Sequence, residues 1–115
     1  MRYALYVGRW QPFHEGHQWL VDQKLERGVP VWIAVRDVPP DVHNPYPPEL
    51  VVEMIKAHYG DRDDVLVTVI PDIESVNYGR KVGYEINEWV PPAEIERISA
   101  TAIRRARGDD VADPA

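Results

Sequence analysis

Five largely apolar residues, Tyr3-Ala4-Leu5-Tyr6-Val7, run directly into Gly8-Arg9-Trp10-Gln11-Pro12-Phe13-His14-Glu15-Gly16-His17, and this junction constrains the fold more than any other stretch of the chain. A short strand that empties through a Gly-flanked turn into a helix leaves backbone N–H groups unpaired at the helix start, where they face any bound anion. His14 and His17 stand three apart across Gly16, so both imidazoles can reach one anion and donate to it. Gly8 and Gly16 are expected to leave room for a ligand's close approach. The arrangement is a phosphate site in outline. A zinc site of the H-E-x-x-H kind would need its histidines at i and i+4 on a formed helix, whereas these are three apart in a turn. The plain alternative is a pair of polar residues at an ordinary helix start.

The next segments extend this unit into an α/β fold. Gln18 to Arg27 holds no Gly or Pro, pairs Val21 with Leu25 at i and i+4, and stops at Gly28, which predicts a helix. Val29 to Val35 is apolar and rich in β-branched residues, as a strand covered on both faces of a parallel sheet would be. The chain therefore opens β-α-β. Right-handed crossovers build such units into a Rossmann-like open parallel sheet with helices on both faces, and ligands bind at the carboxyl ends of its strands. The His14–His17 turn lies at one such end and Arg36 at another.

Val38 to Pro48 carries five prolines with His43 and Asn44, a loop beside the active edge that is expected to contact substrate or close over it. Glu49 to Tyr59 keeps helical spacing through Val51, Val52, Ile55 and Tyr59 and ends at Gly60. Val65 to Ile70 reads as a third strand, ending in Pro71-Asp72-Ile73, where Asp72 also fits a turn or helix cap. A helix over Arg80 to Trp89 would set Val82, Ile86 and Trp89 on one core-facing side. Pro91-Pro92 then breaks the chain ahead of Ile98-Ser99-Ala100-Thr101-Ala102-Ile103-Arg104. Arg97, Arg104, Arg105 and Arg107 crowd this end, a local positive site or simply a solvated helix face. Residues 1–108 read as one domain and 109–115 as an acidic, frayed tail.

The run G-R-W-Q-P-F-H-x-G-H resembles the H-x-G-H signature of the nucleotidyltransferase superfamily, and most closely the form found in archaeal-type nicotinamide-mononucleotide adenylyltransferases. Ile98 to Arg104 resembles the I-S-x-T-x-I-R signature near the C-terminus of the same superfamily, in the same order along the chain. Ile70-Pro71-Asp72-Ile73 is similar to the I-P-D-I at the end of the corresponding strand. Asn44-Pro45-Tyr46 matches the start of the family's N-P-F-T-x-x-E-R, but Pro47 replaces the threonine and Val51 the arginine. Between Asp72 and Ile98 the chain is shorter than the family pattern, which there supplies another strand and much of the nicotinamide pocket.

The resemblance implies transfer of a nucleoside monophosphate, AMP from ATP by preference, onto a small phosphate-bearing acceptor with release of pyrophosphate. His14, His17 and Arg104 would be the catalytic groups. Gly8, Arg9, Trp10, Gln11, Ser99 and Thr101 would bind the nucleotide, and Arg36, Asn44 and Asp72 would contact the acceptor or the loop. Nicotinamide mononucleotide is one acceptor. Mg²⁺ would be the cofactor, held by substrate and water with no protein metal ligands. Read without the resemblance, Ser99 merely caps a helix start. The alternatives are a cytidylyltransferase using CTP, a nucleotide-binding module without turnover, and one subunit of an assembly whose neighbour completes the acceptor pocket, for which a homo-oligomer is the simplest form.

Composition narrows the classes further. With 13 Lys and Arg against 19 Asp and Glu, a formal charge of −6 argues against nonspecific binding of nucleic-acid polymer. The absence of cysteine removes disulfides, thiolate metal sites and a thiol nucleophile. Without an apolar stretch long enough for a signal peptide or membrane span, a soluble, cytoplasmic protein with no membrane partner is expected.

Overall fold

The computed structural model describes residues 2–81 and 83–96. Val82, the Ile98–Arg104 signature with Ser99, Thr101 and Arg104, the arginine crowd and the acidic tail lie outside the described residues. Three parallel strands, β1 (Ala4–Gly8), β2 (Val31–Asp37) and β3 (Val65–Pro71), stand in the order β1-β2-β3. Helix α1 (Glu15–Leu25) joins the first two and α2 (Pro48–Tyr59) the last two. Registered rows cross the sheet from Ala4, Val31 and Val65 to Gly8, Val35 and Val69. The fold is α/β with a small open parallel sheet.

Period-two alternation decides which side chains meet. Ala4 and Tyr6 of β1, Val31, Ile33 and Val35 of β2, and Val65 and Val67 of β3 share one face, against which Val21 and Leu25 of α1 and Val51, Ile55 and Tyr59 of α2 pack. Val21, Val31, Ile33, Val35, Val51 and Ile55 are fully buried, each contributing roughly 1.5–3 kcal/mol of apolar transfer. Two hydroxyls lock the layers: Tyr59 Oη donates to Asp22 Oδ1 at 3.2 Å, and Tyr6 Oη to the Leu20 carbonyl at 2.8 Å.

Among the described residues the expectation of helices on both faces is not met. Both long helices cover the same face, because strands added in one direction by right-handed crossovers put every connecting helix on one side. A reversal of strand order is what moves a helix across the sheet, and the order β1-β2-β3 contains none. On the opposite face Leu5 and Leu66 are exposed, and Trp32, half-buried, donates its indole N–H to Thr68 Oγ1 at 2.7 Å.

The expected helix over 80–89 is also absent. Residues 72–92, Val82 apart, hold no helix or strand; Lys81 and Gly83 have φ of 64° and 83°, which a right-handed helix cannot contain. Ile86, expected in the core, is 68% exposed, and Trp89 is half-buried. The segment leads to a short helical turn, α3 (Ala93–Glu96), packed on α1.

Candidate functional site

Helix α1 begins at Glu15, three residues before the apolar pattern suggests, because the histidines themselves cap it. His14 is the N-cap: its Nδ1 accepts from the Gly16 N–H at 3.0 Å, while His17 Nδ1 accepts from the His14 N–H at 3.2 Å. This is a reciprocal capping box built from imidazoles instead of a hydroxyl and a carboxylate. The rings stack with centroids 3.7 Å apart and planes 18° from parallel. With each Nδ1 engaged as an acceptor, each neutral ring carries its proton on Nε2. Spacing three was the signal for this in the sequence, since N-cap and N3 are three residues apart.

Burial pushes the His17 imidazole down to about 3, helped by the neighbouring His14 and opposed by the Pro12 carbonyl. His14 is lowered as well, by burial. Both are therefore neutral at pH 7, and they offer N–H donors without carrying charge of their own. The environment is aromatic: Trp10 meets His17 edge-on at 4.9 Å, Phe13 lies 5.9 Å from it, and Phe13 in turn packs on Tyr59 and His58 of α2.

The glycines serve a different purpose from the one expected. A Cβ on Gly8 would lie 2.9 Å from Cε2 of Trp10, and one on Gly16 would lie 2.9 Å from Cε1 of His14. The space at both is filled by the motif's own rings, not kept for a ligand. Trp10 adopts φ of 54°, a left-handed conformation costing a non-glycine residue roughly 1–2 kcal/mol, and is held there by burial and by its indole N–H donating to the Ala34 carbonyl at 3.2 Å. Gly8, Trp10 and Ala34 thus form one close-packed junction between β1 and β2.

Gln11 is the buried polar residue of the turn, and its amide is spent on the proline-rich loop. Its Nε2 donates to the Tyr46 carbonyl at 2.8 Å and its Oε1 accepts from the Tyr46 N–H at 3.0 Å, as a strand neighbour would. Arg9 reaches the same loop, donating to the Pro39 carbonyl at 3.3 Å and lying 3.6 Å from Asp41 Oδ2. Asn44 is turned inward on the loop, where Asp41 Oδ1 accepts from both its backbone and its side-chain N–H. The loop is therefore clasped to the histidine turn by Gln11 and Arg9. Tyr46 stood out in the sequence only as part of the matched Asn44-Pro45-Tyr46 run and Asp41 not at all, because both contacts join positions more than thirty residues apart.

Arg36 and Asp72, at the carboxyl ends of β2 and β3, meet as a pair: Arg36 Nε and Nη2 lie 2.8 and 2.6 Å from Asp72 Oδ1, which also accepts from the Ile73 N–H. Arg36 holds the Asp72 carboxyl below the usual carboxylate range, with the Ile73 N–H and the Arg36 and Arg9 charges adding to the effect. Val51, where the resembled pattern has an arginine, is fully buried on the core side of α2. An open groove of about 240 Å³ runs beside α1, lined by Glu15, Gln18, Trp19, Asp22 and Ile95. Among the described residues no three His, Asp or Glu side chains converge to hold a metal ion. No described helix is long and apolar enough to cross a membrane.

Chemically, this edge of the sheet combines a neutral double N–H donor with two arginines and a helix start. Both arginines are paired with carboxylates, Arg9 with Asp41 and Arg36 with Asp72, so this edge carries its positive charge already balanced. No known family model matches the chain, and comparison with curated proteins and with solved structures finds no match either.

Proposed function

We propose that the protein is a nucleotidyltransferase of the H-x-G-H type, moving AMP from ATP onto a small phosphate-bearing acceptor and releasing pyrophosphate. The observation that carries this reading is the stacked His14–His17 pair, neutral and fixed as Nε2–H donors at the N-terminus of α1. A phosphate acceptor is already a nucleophile at neutral pH, so the reaction asks for no general base. It asks for two anions to be held in line and for the charge growing on the α-phosphoryl group to be met by donors already in place.

In this reading His14 and His17 donate to the α-phosphoryl oxygens, and a donor that is neutral beforehand need not be stripped of water as a cation when the site forms. Trp10 and Phe13 hold His17, and Gln11 and Arg9 keep the Asn44 loop against the turn. Ser99, Thr101 and Arg104 are assigned to the leaving phosphates by the second signature. The Arg36–Asp72 pair is assigned to the acceptor. Mg²⁺, bound by triphosphate oxygens and water, supplies further neutralisation of the leaving group.

Calorimetric titration with ATP, CTP and GTP in the presence of Mg²⁺, on the wild type and on His17→Ala, tests the proposal. Preferential ATP binding that falls at least tenfold in the variant supports it, as does pyrophosphate–ATP isotope exchange once acceptor is added. No triphosphate binding by the folded wild-type protein would overturn it.

A further inference from the structure

The two arginines of the sheet edge are balanced in unequal ways. Arg36 holds Asp72 through Nε and Nη2, which lie 2.8 and 2.6 Å from one carboxylate oxygen, the distances of charge-assisted hydrogen bonds. Arg9 Nη1 stands 3.6 Å from Asp41 Oδ2, beyond hydrogen-bond reach, and its Nη2 donates to the Pro39 carbonyl at a long 3.3 Å. The first pair is closed. The second leaves a guanidinium, with its fork of five N–H donors, loosely engaged.

The loop is organised so that Arg9 can let go of Asp41 without unfolding it. Asp41 Oδ1 accepts from the backbone N–H groups of His43 and Asn44 and from the Asn44 side chain, at 2.9, 2.8 and 3.2 Å, and the Asp41 N–H donates to the Asn44 carbonyl at 3.0 Å. Residues 41–44 therefore form a self-contained turn whose Oδ2 is left to face Arg9. Among the described residues, Arg9 supplies the hydrogen bond and the ion pair that fasten residues 39–44 to the rest of the fold, and Pro39 to His43 are exposed. Tyr46, by contrast, is buried and bonded to Gln11 through both its N–H and its carbonyl. The tip of the loop hangs on one side chain while its root is fixed.

Arg9 belongs to the turn that carries His14 and His17, just past the carboxyl end of β1. The Asp72 carboxyl, lowered chiefly by its hydrogen bond from Arg36, feels the Arg9 charge as well, so both arginines serve one edge. A phosphate chain drawn to this edge meets Arg9 already occupied by a carboxylate. We propose that Asp41 is a built-in counter-ion which the phosphate chain displaces from Arg9, and that this exchange releases residues 39–44 from the histidine turn. The inference rests on the nucleotide-binding reading above and adds its regulation. Asp41 is an intramolecular competitor: it keeps the empty site charge-balanced and lowers the affinity for an anion. A phosphate chain carries more charge than one carboxylate and offers the guanidinium a bidentate partner, which a single carboxylate oxygen at 3.6 Å does not. Exposed ion pairs are weak, so the competition can be overcome.

Calorimetric titration with Mg-ATP across a double-mutant cycle tests the exchange. Asp41→Asn keeps an oxygen to accept from the His43 and Asn44 N–H groups but removes the charge facing Arg9, and should tighten binding roughly twofold to fivefold. Arg9→Gln should weaken binding, and Asp41→Asn added to Arg9→Gln should then change affinity by less than about 1.5-fold. Unchanged or weaker binding in Asp41→Asn, or an equal gain with and without Arg9, would overturn the exchange.

Backbone nitrogen relaxation supplies a second readout. In the wild type the amides of residues 41–44 should lose order on saturation with Mg-ATP, falling toward the order parameters of about 0.6 that mark flexible backbone, while Tyr46 stays rigid. Asp41→Asn should show the loosened values before any ligand is added. Amides 41–44 that keep their order or stiffen when Mg-ATP binds would overturn the release. If the folded wild type binds no triphosphate, the nucleotide reading has failed and the exchange falls with it; if it binds Mg-ATP with an affinity indifferent to Asp41→Asn, the exchange alone has failed.

Discussion

The histidine turn and the segment that follows β3 are built on opposite principles. In residues 8–17 the side chains fill one another's space: the Trp10 indole occupies the room at Gly8, the His14 imidazole that at Gly16, and Gln11 pairs with the backbone of Tyr46. In residues 73–90 the large apolar side chains Val76, Tyr78, Tyr84 and Ile86 face solvent, and the chain is fastened at Glu85, Trp89 and Ile95. The turn is rigid because many short-range contacts agree. The segment after β3 takes its course from a few anchors and has few buried contacts to stabilise it.

Substitutions should separate the two regions sharply. Val51→Arg restores the arginine of the resembled pattern but buries a cation on the core side of α2, and is expected to lose more than about 3 kcal/mol in denaturant unfolding. A milder effect would mean that α2 can turn away from the sheet. Gly8→Ala should cost about 1–3 kcal/mol, since the added methyl meets a buried ring that has nowhere to move.

The pH dependence should be the next largest effect. Between pH 6.5 and about 3 the unfolded chain binds a proton at His17 that the folded chain refuses. Stability is therefore full above this window and falls as pH drops through it, by up to about 1.4 kcal/mol per unit from this residue. His14, also lowered, adds in the same direction. His17→Gln keeps an acceptor for the His14 N–H, as a capping-box glutamine does, and should flatten the Tm profile across acid pH. An unchanged profile would show that His17 is not buried as described. In the segment after β3, Ile86→Ser should shift Tm by the equivalent of no more than about 0.5 kcal/mol; a larger loss would mean that this segment is packed in solution.

The sequence was most legible where local pattern and tertiary environment agree. The apolar runs ending at Val7, Val35 and Ile70 and the spacing of Val51, Ile55 and Tyr59 correspond to β1, β2, β3 and α2 within a few residues. The single-sided helix layer was not foreseen, because it depends on strand order, which periodicity does not encode. The helix expected over 80–89 failed where Val82, Ile86 and Trp89 had helical spacing in the sequence but Lys81 and Gly83 took left-handed backbone angles. At the site, the spacing of the two histidines was enough to bring them together at one turn. What Gln11, Gly8 and Gly16 do could not, since each answers to a neighbour that only folding brings: the Tyr46 backbone, the Trp10 ring and the His14 ring.

The central claim is that His14 and His17 are neutral Nε2–H donors awaiting a phosphate chain. Long-range proton–nitrogen correlation spectra of the imidazole nitrogens at pH 7, with and without Mg-ATP, examine it most directly. Both rings should show the Nε2–H tautomer in the free protein, and both Nε2 signals should shift on addition of Mg-ATP while each Nδ1 keeps its acceptor character. Imidazolium or Nδ1–H forms in the free protein, or spectra that ignore Mg-ATP, would contradict it.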